Sequence, residues 1–168
     1  MPFKHGSDRV DSKVENGLCW RLAAFDALDA ASLYALLAAR VAVFVVEQRC
    51  AYQELDGLDI AALHLSAERD GSLVAVARIL PPGSRYDQPS IGRVLTLPPL
   101  RGTGLGRVLM QHAIAVCRQR WPNQPIRVSA QRHLESFYAS LGFSVISEPF
   151  DEDGIEHVDM RLEVGRRA

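Results

Sequence analysis

The chain has few of the features that mark several large classes of protein. Its 168 residues include three cysteines, and no two of them have the CxxC spacing of a zinc knuckle or a redox site. An odd number of cysteines argues against a disulfide framework and favours a reducing compartment. The 19 Lys and Arg residues do not outnumber the 20 Asp and Glu residues. The chain therefore lacks the basic excess of a nucleic-acid-binding protein, and we expect no nucleic-acid partner.

Long hydrophobic runs are also missing. The longest extends from Leu33 to Val46, is broken by Arg40, and is shorter than the roughly 18 residues that suggest a membrane span. Residues 1–17 have no apolar signal-peptide core and indicate a polar, flexible leader. We therefore expect a cytoplasmic protein without a membrane partner, with its domain at residues 18–164 and a short tail at 165–168.

The remaining composition is that of one globular domain. Hydrophobic residues make up 48% of the chain and charged residues 23%, a balance that supports a single core in a chain of this length. Hydrophobic periodicity predicts strands at residues 18–25, 64–69, 72–80, 91–97, 126–130, 143–146 and 157–162. It predicts helices at 30–46, 104–119 and 131–141, and an Asp70-Gly71 hairpin turn. The acidic stretch 151–154 is predicted as a loop.

The most informative segment extends from Val94 to Met110. It combines a strand, a turn with glycines at positions 102, 104 and 106, and an amphipathic helix. We call residues 101–107 the glycine loop. Glycine allows a ligand to approach the backbone closely, and the first turn of a helix offers unpaired N–H groups that suit a pyrophosphate. The spacing fits neither a Walker loop nor a GxGxxG dinucleotide motif, and a glycine turn without a ligand remains an alternative.

Two segments in this order resemble a known family. Arg101, Gly104 and Gly106 match the R/Q-x-x-G-x-G/A motif of the GCN5-related N-acetyltransferases (GNAT family). Downstream, the sequence AQRHLESFYASLGF (residues 130–143) resembles the helix of that family that ends in Tyr and is followed by Gly-Phe. The stretches FVVEQRCAYQELDGLD, IGRVLTLPPLRG and EDGIEHVDM are also similar to its ElaA-type branch. The resemblance covers about residues 18–164.

The resemblance implies a single α/β (α+β) domain with a mixed, largely antiparallel sheet flanked by helices. In this family the strand that corresponds to residues 94–96 is bulged and splays away from the next strand. Acetyl-coenzyme A (acetyl-CoA) lies in the resulting V-shaped cleft. Main-chain groups of Val94, Leu95 and Thr96 would therefore pair with the pantetheine.

The resemblance also implies the rest of the cofactor site. Backbone N–H groups of the glycine loop would hold the pyrophosphate, namely those of Arg101, Gly102, Thr103, Gly104, Leu105, Gly106 and Arg107. The family has an asparagine seven residues before its helix tyrosine, and this chain has Gln131 there. Its longer side chain is still expected to bond the pantetheine.

The implied reaction is transfer of an acetyl group to an amine by direct attack in a ternary complex. No cysteine occupies a recognised catalytic position. Tyr138 would give a proton to the leaving thiolate, since a tyrosine titrates near pH 10 and a thiol near about 8.5. Packing on an apolar helix face is the alternative for Tyr138. The candidate bases are Glu47, whose pKa partial burial would raise, and His64, which can titrate near neutrality.

Acidic residues suggest where an acceptor enters. One group lies in the first acidic loop, residues 47–59: Glu47, Glu54, Asp56 and Asp59. The other lies in the second acidic loop, residues 151–157, which also holds His157: Asp151, Glu152, Asp153 and Glu156. If the loops converge, their field would favour a cationic amine, although solvated surface is the simpler alternative. Their spacing matches neither an EF-hand nor HExxH, so we expect no metal.

Other assignments stay open at this point. Arg78 and Arg93 lie in apolar strands and indicate buried ion pairs as readily as binding of a substrate carboxylate. The acceptor is expected to be a small-molecule or peptide amine, and the oligomeric state is open, a homodimer included. A CoA-responsive binding module without turnover is one alternative function. VAVFVVEQ (residues 41–48) resembles the acyl-homoserine lactone synthases, but the GxG turn and the short chain favour an acetyltransferase.

Overall fold

A mixed sheet of nine strands forms the frame of residues 10–165, the part of the chain that this computed structural model describes. The strands are β1 (Asp11–Glu15), β2 (Leu18–Ala24), β3 (Leu63–Arg69), β4 (Ser72–Leu80), β5 (Ser90–Thr96), β6 (Ile126–Gln131), β7 (Ser144–Val145), β8 (Phe150–Glu152) and β9 (Ile155–Leu162). The helices are α1 (Ala30–Arg40), α2 (Leu105–Arg120) and α3 (Glu135–Ala139).

The sheet has the order β1-β2-β3-β4-β5-β6-β9-β7, with β8 paired to β9. All neighbouring strands in residues 10–165 pair antiparallel except β5 and β6, which are parallel. This architecture confirms the predicted single domain with a mixed, largely antiparallel sheet.

Helices cover both faces of the sheet. Ile79 and Leu109 are fully buried in the main core, where α2 packs on one face. Val76 joins a smaller cluster with Leu36 of α1 and Leu95 of β5. Because side chains alternate along a strand, Val76 and Ile79 point to opposite faces. The central strands are therefore buried on both sides, which explains why β4 is almost continuously apolar.

The first strand corrects the predicted leader. Residues 11–15 form β1, which pairs along its whole length with β2. The turn between them is Asn16-Gly17, and both residues have positive φ. β1 is an edge strand with mostly exposed side chains, so its polar composition gave no apolar alternation to recognise. Residues 1–9 and 166–168 of the predicted leader and tail lie outside the described residues.

Two further hairpins have the same turn chemistry. Asp70-Gly71 joins β3 to β4 with φ of 52° and 74°, as a type I′ turn requires, which confirms that prediction. Asp153-Gly154 joins β8 to β9 with φ of 55° and 82°. The prediction of a loop over residues 151–154 was therefore wrong for residues 151–152, which belong to β8.

The first helix continues beyond α1 as a π-helix over Val41–Glu47. The N–H of Gln48 bonds to the carbonyl of Val43 at 3.1 Å, and the N–H of Cys50 bonds to that of Val45 at 3.1 Å. These bonds span five residues instead of four and widen the last turns. The predicted helix that ends at Glu47 and Gln48 is confirmed, but its widened geometry was not foreseen.

By length and composition, this helical segment is also apolar enough to cross a membrane. Ala30–Glu47 spans 18 residues with a mean hydropathy of 1.8, so the expectation that no stretch reaches this length was wrong. The core helix of a globular domain can meet the same criterion. Here Arg40, in the middle of the segment, is completely buried against the residues that follow the helix.

Arg40 is held by two carboxylates of the first acidic loop. Its Nε donates to Glu54 Oε1 at 2.7 Å, and its Nη2 donates to Asp59 Oδ2 at 3.1 Å. The exposed fractions of Glu54 and Asp59 are only 3% and 5%. The loop therefore packs beneath the helix, with its charges turned inward.

Two arginines of the sheet complete this ion-pair network, whose members are Arg40, Arg78, Arg93, Glu54, Asp56 and Asp59. Arg78 of β4 donates to both oxygens of Asp56, at 2.7 and 2.8 Å. Arg93 of β5 donates to Glu54 Oε1 at 2.7 Å and to the Glu54 carbonyl at 2.9 Å. The interpretation of Arg78 and Arg93 as structural ion pairs is thus confirmed.

Replacing Arg40 tests how much the network stabilises the fold. Arg40→Met keeps an apolar chain of similar length but leaves three carboxylates to two arginines, so one negative charge of the network is no longer compensated. Removing one partner of a buried pair costs about 3–5 kcal/mol, so we expect the free energy of unfolding to fall by that amount. Denaturant unfolding measures it, with Arg120→Met at an exposed position as the control, expected within about 0.5 kcal/mol of the wild type. Equal stabilities for both variants would contradict the role of the network.

Acid should weaken the same network. Burial acts to raise the pKa of Asp56, but the hydrogen bonds and charge of Arg78 lower it from 3.8 to about 2. The folded protein then binds this proton more weakly than the unfolded chain. The stabilisation is therefore complete above about pH 4 and is lost as the pH falls through about 2. Denaturant unfolding at several pH values should show this loss, and Asp56→Asn should have a smaller acid dependence than the wild type.

Candidate active site

A cleft opens in the sheet between β5 and β6. The two strands pair at one position, Ser90 with Arg127, and one further bond joins the Arg127 N–H to the Pro89 carbonyl at 2.9 Å. Beyond this point they diverge and leave a cavity of about 700 Å³. The predicted V-shaped cleft between the central strands is confirmed.

A bulge in β5 shapes one wall of the cleft. Arg78 of β4 pairs with Gly92 and Val76 pairs with Leu95, so Arg93 and Val94 together face the single residue Ala77. Arg93 has a φ of 51°, a conformation that a branched or large side chain seldom adopts without support. Its bonds to Glu54 provide that support, so the ion-pair network holds the bulge in place.

Strand alternation decides which main-chain groups face the cleft. The Leu97 N–H bonds to the Val74 carbonyl at 2.9 Å, so Leu97 and Leu95 direct their main-chain groups toward β4. Thr96 directs its main-chain groups to the open side, where its carbonyl accepts a bond from Arg101 Nε at 3.1 Å. Val94 belongs to the bulge, where this alternation is interrupted. Leu95 therefore faces β4, and the pairing of Val94 and Thr96 with an extended ligand stays a prediction.

The glycine loop lies at one end of the cleft. Gly102 and Gly104 have φ of 77° and 86°, and nothing lies within 4 Å of where a Cβ would be. No side chain caps α2, whose first backbone bond runs from the Arg107 N–H to the Gly104 carbonyl. Among residues 10–165, nothing accepts the N–H groups of residues 102–106. Five consecutive donors are thus available to an anion, at the positive end of the helix dipole.

Gly106 is the position where the glycine loop packs against the rest of the domain. A Cβ there would lie 3.9 Å from Thr96 and 4.0 Å from Phe137, in ordinary contact with both. The loop therefore lies against β5 and against the segment that carries α3. Arg107 extends outward and donates to Ser140 Oγ at 2.7 Å.

Glu47 does not have the environment predicted for a base. Both its oxygens accept hydrogen bonds from Arg101, at 2.6 and 3.0 Å, and both side chains are partly exposed. The hydrogen bonds from Arg101 lower the pKa of Glu47, whereas the sequence analysis expected burial to raise it. Glu47 lines the cleft, but it is a paired carboxylate and a weak proton acceptor.

His64 lies outside the cleft. It is 1% exposed, its Nε2 is 3.0 Å from the Asp59 carbonyl oxygen, and it is absent from the cavity lining. Burial lowers its pKa. The prediction of His64 as a base was therefore wrong: its place at the start of β3 turns the ring toward the loop beneath α1, away from any substrate.

Tyr138 both packs in the core and reaches the cleft. Its ring meets Phe137 and Phe143 edge to face, with centroids 5.2 and 6.0 Å apart, and it is 7% exposed. It lines the cavity, and its hydroxyl has no hydrogen-bond partner among residues 10–165. Burial raises the pKa of Tyr138 to about 12, so it is a neutral donor at physiological pH. The packing interpretation is correct, and it does not exclude a role in the cleft.

Gln131 links the end of β6 to the end of the π-helix. It ends β6, and its Nε2 donates to Gln48 Oε1, at the end of the π-helix, at 3.0 Å. Both side chains line the cavity. Gln131 retains a free carbonyl oxygen, and its bond to a pantetheine stays a prediction.

The two acidic loops converge, as expected: the Cys50 thiol donates to the Asp153 carbonyl at 3.3 Å. The expected negative field is wrong, because most of the carboxylates are already paired. Glu54, Asp56 and Asp59 belong to the ion-pair network. In the second loop, Glu152 pairs with Arg85 at 2.8 Å. Of the predicted acids, Asp153 lines the cavity without an ion-pair partner among residues 10–165.

Several residues of the cleft had no strong signal in the sequence. Arg85 and Tyr86 come from the loop 81–89, which lacks any hydrophobic period that would orient them. His157 lines the cavity from β9, opposite Gln131 of β6. The sequence placed it at the start of the last predicted strand, but the cleft beside it was not visible. Within residues 10–165, no three His, Cys, Asp or Glu side chains form a group that could hold a metal ion.

Comparison with known proteins shows which family this chain belongs to. A family model described as "Acetyltransferase (GNAT) domain" matches residues 30–164. Protein ElaA of Escherichia coli is 43% identical over 139 residues, 82% of this chain and 91% of ElaA. Its crystal structure superposes with a TM-score of 0.81, covering 86% of this chain and 98% of that one.

Two other solved structures are informative. An acyl-CoA N-acyltransferase from Pseudomonas aeruginosa has a TM-score of 0.83 at 44% identity, over 86% of this chain and 99% of that one. The CoA-dependent acyl-homoserine lactone synthase BjaI has a TM-score of 0.67 at 15% identity, over 80% of this chain and 76% of that one. The second likeness shows a shared fold alone.

Proposed function

The chain belongs to the GNAT acetyltransferase family, and on this premise we propose that it moves an acetyl group from acetyl-CoA to an amine. The observation that carries the proposal is the glycine loop: five unpartnered N–H groups at the mouth of a cleft between splayed strands. A pyrophosphate needs donors of this kind, and an extended pantetheine needs an open strand edge beside them. The acyl-CoA N-acyltransferase from P. aeruginosa, by its name, supports both an acyl-CoA donor and an amine acceptor.

The donor would lie along β5. Residues 102–106 would hold the pyrophosphate, and the main-chain groups of Val94 and Thr96 would pair with the pantetheine. The Thr96 carbonyl already accepts from Arg101, so its N–H is the unused group there. One main-chain N–H of β5 at the bulge would donate to the thioester oxygen and stabilise the oxyanion that forms on attack.

The reaction would proceed by direct attack. The amine nitrogen forms a bond to the thioester carbon, the C–S bond breaks, and the electron pair leaves on sulfur. Tyr138 would donate to this sulfur. The pKa of Tyr138 is about 12, so its hydroxyl is fully protonated at neutral pH. A thiol has a pKa of about 8.5, so the thiolate is too weak a base to remove this proton by itself. Tyr138 would therefore donate a hydrogen bond to the sulfur that strengthens as the C–S bond breaks. Cys50 lines the cleft with its thiol already donating to Asp153, which argues against a covalent intermediate.

We also propose that the enzyme is located in the cytoplasm. All three cysteines are free thiols, as expected in the reducing cytoplasm. The cleft volume of about 700 Å³ suits a small molecule or the end of a peptide as the acceptor beside the donor thioester. Its balanced charges favour no single sign of acceptor.

Release of free thiol from acetyl-CoA, with and without a panel of primary amines, tests the proposed function. We expect thiol release that depends on both the amine and the protein, with the acetylated amine as product. Binding of acetyl-CoA without thiol release for any amine would instead support a CoA-responsive binding module.

A substitution in the glycine loop should weaken donor binding. Gly104→Val places a branched side chain in the open space before the free N–H groups and strains a backbone with positive φ. We expect the Kd for acetyl-CoA to rise at least tenfold, about 1.4 kcal/mol, by calorimetry. Gly71→Val, at a hairpin turn with the same backbone conformation, controls for strain and should leave the Kd unchanged. Equal affinities for both variants would contradict the assigned pyrophosphate site.

Removal of the Tyr138 hydroxyl should slow turnover. Tyr138→Phe keeps the aromatic packing, and loss of a proton donor to the leaving group typically lowers kcat by about 10²- to 10⁴-fold. The Kd for acetyl-CoA should hardly change. Because the pKa of Tyr138 is about 12, the wild-type rate should show no alkaline decline from this residue below about pH 11. Near-normal turnover of the variant would leave Tyr138 with its packing role alone.

A further inference from the structure

The proposed reaction requires a proton acceptor in the cleft. An alkylamine resembles the lysine side chain, with a pKa of about 10.4, and is an ammonium ion at neutral pH without a lone pair for attack. Glu47 is paired with Arg101 and His64 lies outside the cleft. The base must therefore be another group of the cavity lining.

His157 has the geometry of such a group. Its Nδ1 lies 2.8 Å from the Ile155 carbonyl oxygen. A carbonyl oxygen only accepts hydrogen bonds, so Nδ1 carries the hydrogen and Nε2 keeps a lone pair. The ring stacks on Phe150, with centroids 6.1 Å apart and planes at 24°. Both contacts fix the orientation of the imidazole, whose side chain is 12% exposed.

The position of His157 suits a reaction at the thioester. It pairs with Gln131 across β6 and β9, and β6 diverges from β5 toward Gln131. The segment after Gln131 brings Tyr138 to the same cavity. His157 therefore lies across the open part of the cleft from the strand edge of β5.

A carboxylate lies beside the ring of His157. The ring Nε2 lies 3.7 Å from Glu152 Oε2, which is too far for a hydrogen bond but within the range of charge attraction. Arg85 bonds to the other oxygen of Glu152 at 2.8 Å and holds that carboxylate in place. Other titratable side chains in this part of the cavity lining are Cys50, Tyr86, His133, Tyr138 and Asp153, whereas Glu156 on β9 lies outside the lining.

We propose that His157 is the general base of the acetyl transfer, with Nε2 accepting a proton from the acceptor ammonium and Glu152 positioning and stabilising the resulting imidazolium. This proposal rests on the proposed function and identifies the general base, which that function left unassigned.

Every proton and bond of the proposed step can be accounted for. The ammonium gives one proton to Nε2, and the freed lone pair forms the C–N bond. The C–S bond then breaks while the Tyr138 hydroxyl donates a hydrogen bond to the sulfur. The new amide nitrogen loses its second proton, which passes to the sulfur through the Tyr138 hydroxyl and leaves that hydroxyl protonated, and the imidazolium releases its proton to solvent. The products are an amide, a free thiol and one proton.

Two nucleophiles of different basicity test the proposal. Propylamine is protonated at neutral pH and needs a base, whereas methoxyamine is a much weaker base, is neutral there and does not. His157→Asn keeps an amide N–H that can bond to the Ile155 carbonyl but cannot accept the proton. We expect it to lower propylamine-dependent thiol release at least about 10²-fold and methoxyamine-dependent release less than about threefold, after subtraction of the uncatalysed reaction.

His133→Asn is the matched control in the same cleft. Any loss that it causes should be the same for both nucleophiles, because it removes no base. If the wild type turns over both nucleophiles and His157→Asn loses the same fraction of activity with each, His157 is not the base. That result would overturn the assignment of the base and leave the proposed function standing. A wild-type protein that binds acetyl-CoA but releases no thiol with either nucleophile would overturn the proposed function and this assignment together.

A second variant separates the base from a structural role. Glu152→Gln removes the carboxylate charge beside the ring but keeps a side chain of the same size. We expect it to lower propylamine-dependent release more than methoxyamine-dependent release, with little change in thermal unfolding. Equal losses for both nucleophiles in Glu152→Gln would show that Glu152 does not act through the base.

Discussion

Neutralising the buried guanidinium of Arg40 is the constraint on which the rest of the structure depends. Arg40 has no exposed side-chain surface, so carboxylates must come to it. Glu54 and Asp59 do so only if the segment after the π-helix folds back beneath α1. Glu54 then bonds to Arg93, which sits at the bulge of β5 in a strained conformation. One buried charge in a helix thereby sets the shape of a strand on the other side of the cleft.

The two ends of the cleft are built from different kinds of groups. One end consists of main-chain groups: the edge of β5 and the N–H groups of the glycine loop. The opposite end consists of side chains that reach in from loops and from β9, such as Arg85, Tyr86 and His157. A substitution that keeps the backbone conformation leaves the first end unchanged, whereas a substitution at the second end changes the groups that face the cleft.

The sequence predicted those parts of the structure that depend on local rules. Hydrophobic periodicity located α2 and most strands within a residue or two, and the Asp70-Gly71 turn followed from its required backbone conformation. The glycine loop was recognisable because its residue spacing is itself the family motif.

The errors at the site share one physical origin, which is a partner distant in sequence. Glu47 was expected to have a raised pKa, but Arg101 lies beside it in the fold. His64 was placed at a strand start without knowledge of the loop that covers it. The acidic loops looked like a negative surface because their arginine partners lie on α1, β4 and β5. β1 was missed because an edge strand buries too little to show apolar alternation.

The single pairing between β5 and β6 has a consequence for the stability of the sheet. Strands β1 to β5 pair antiparallel in chain order on one side of the cleft, and β6 pairs antiparallel with β9 on the other side. The two halves of the sheet are therefore joined by one ladder position and by the packing of the core beneath it. A ligand bound in the cleft would contact both halves, so its binding energy would stabilise the sheet where its strand pairing is weakest.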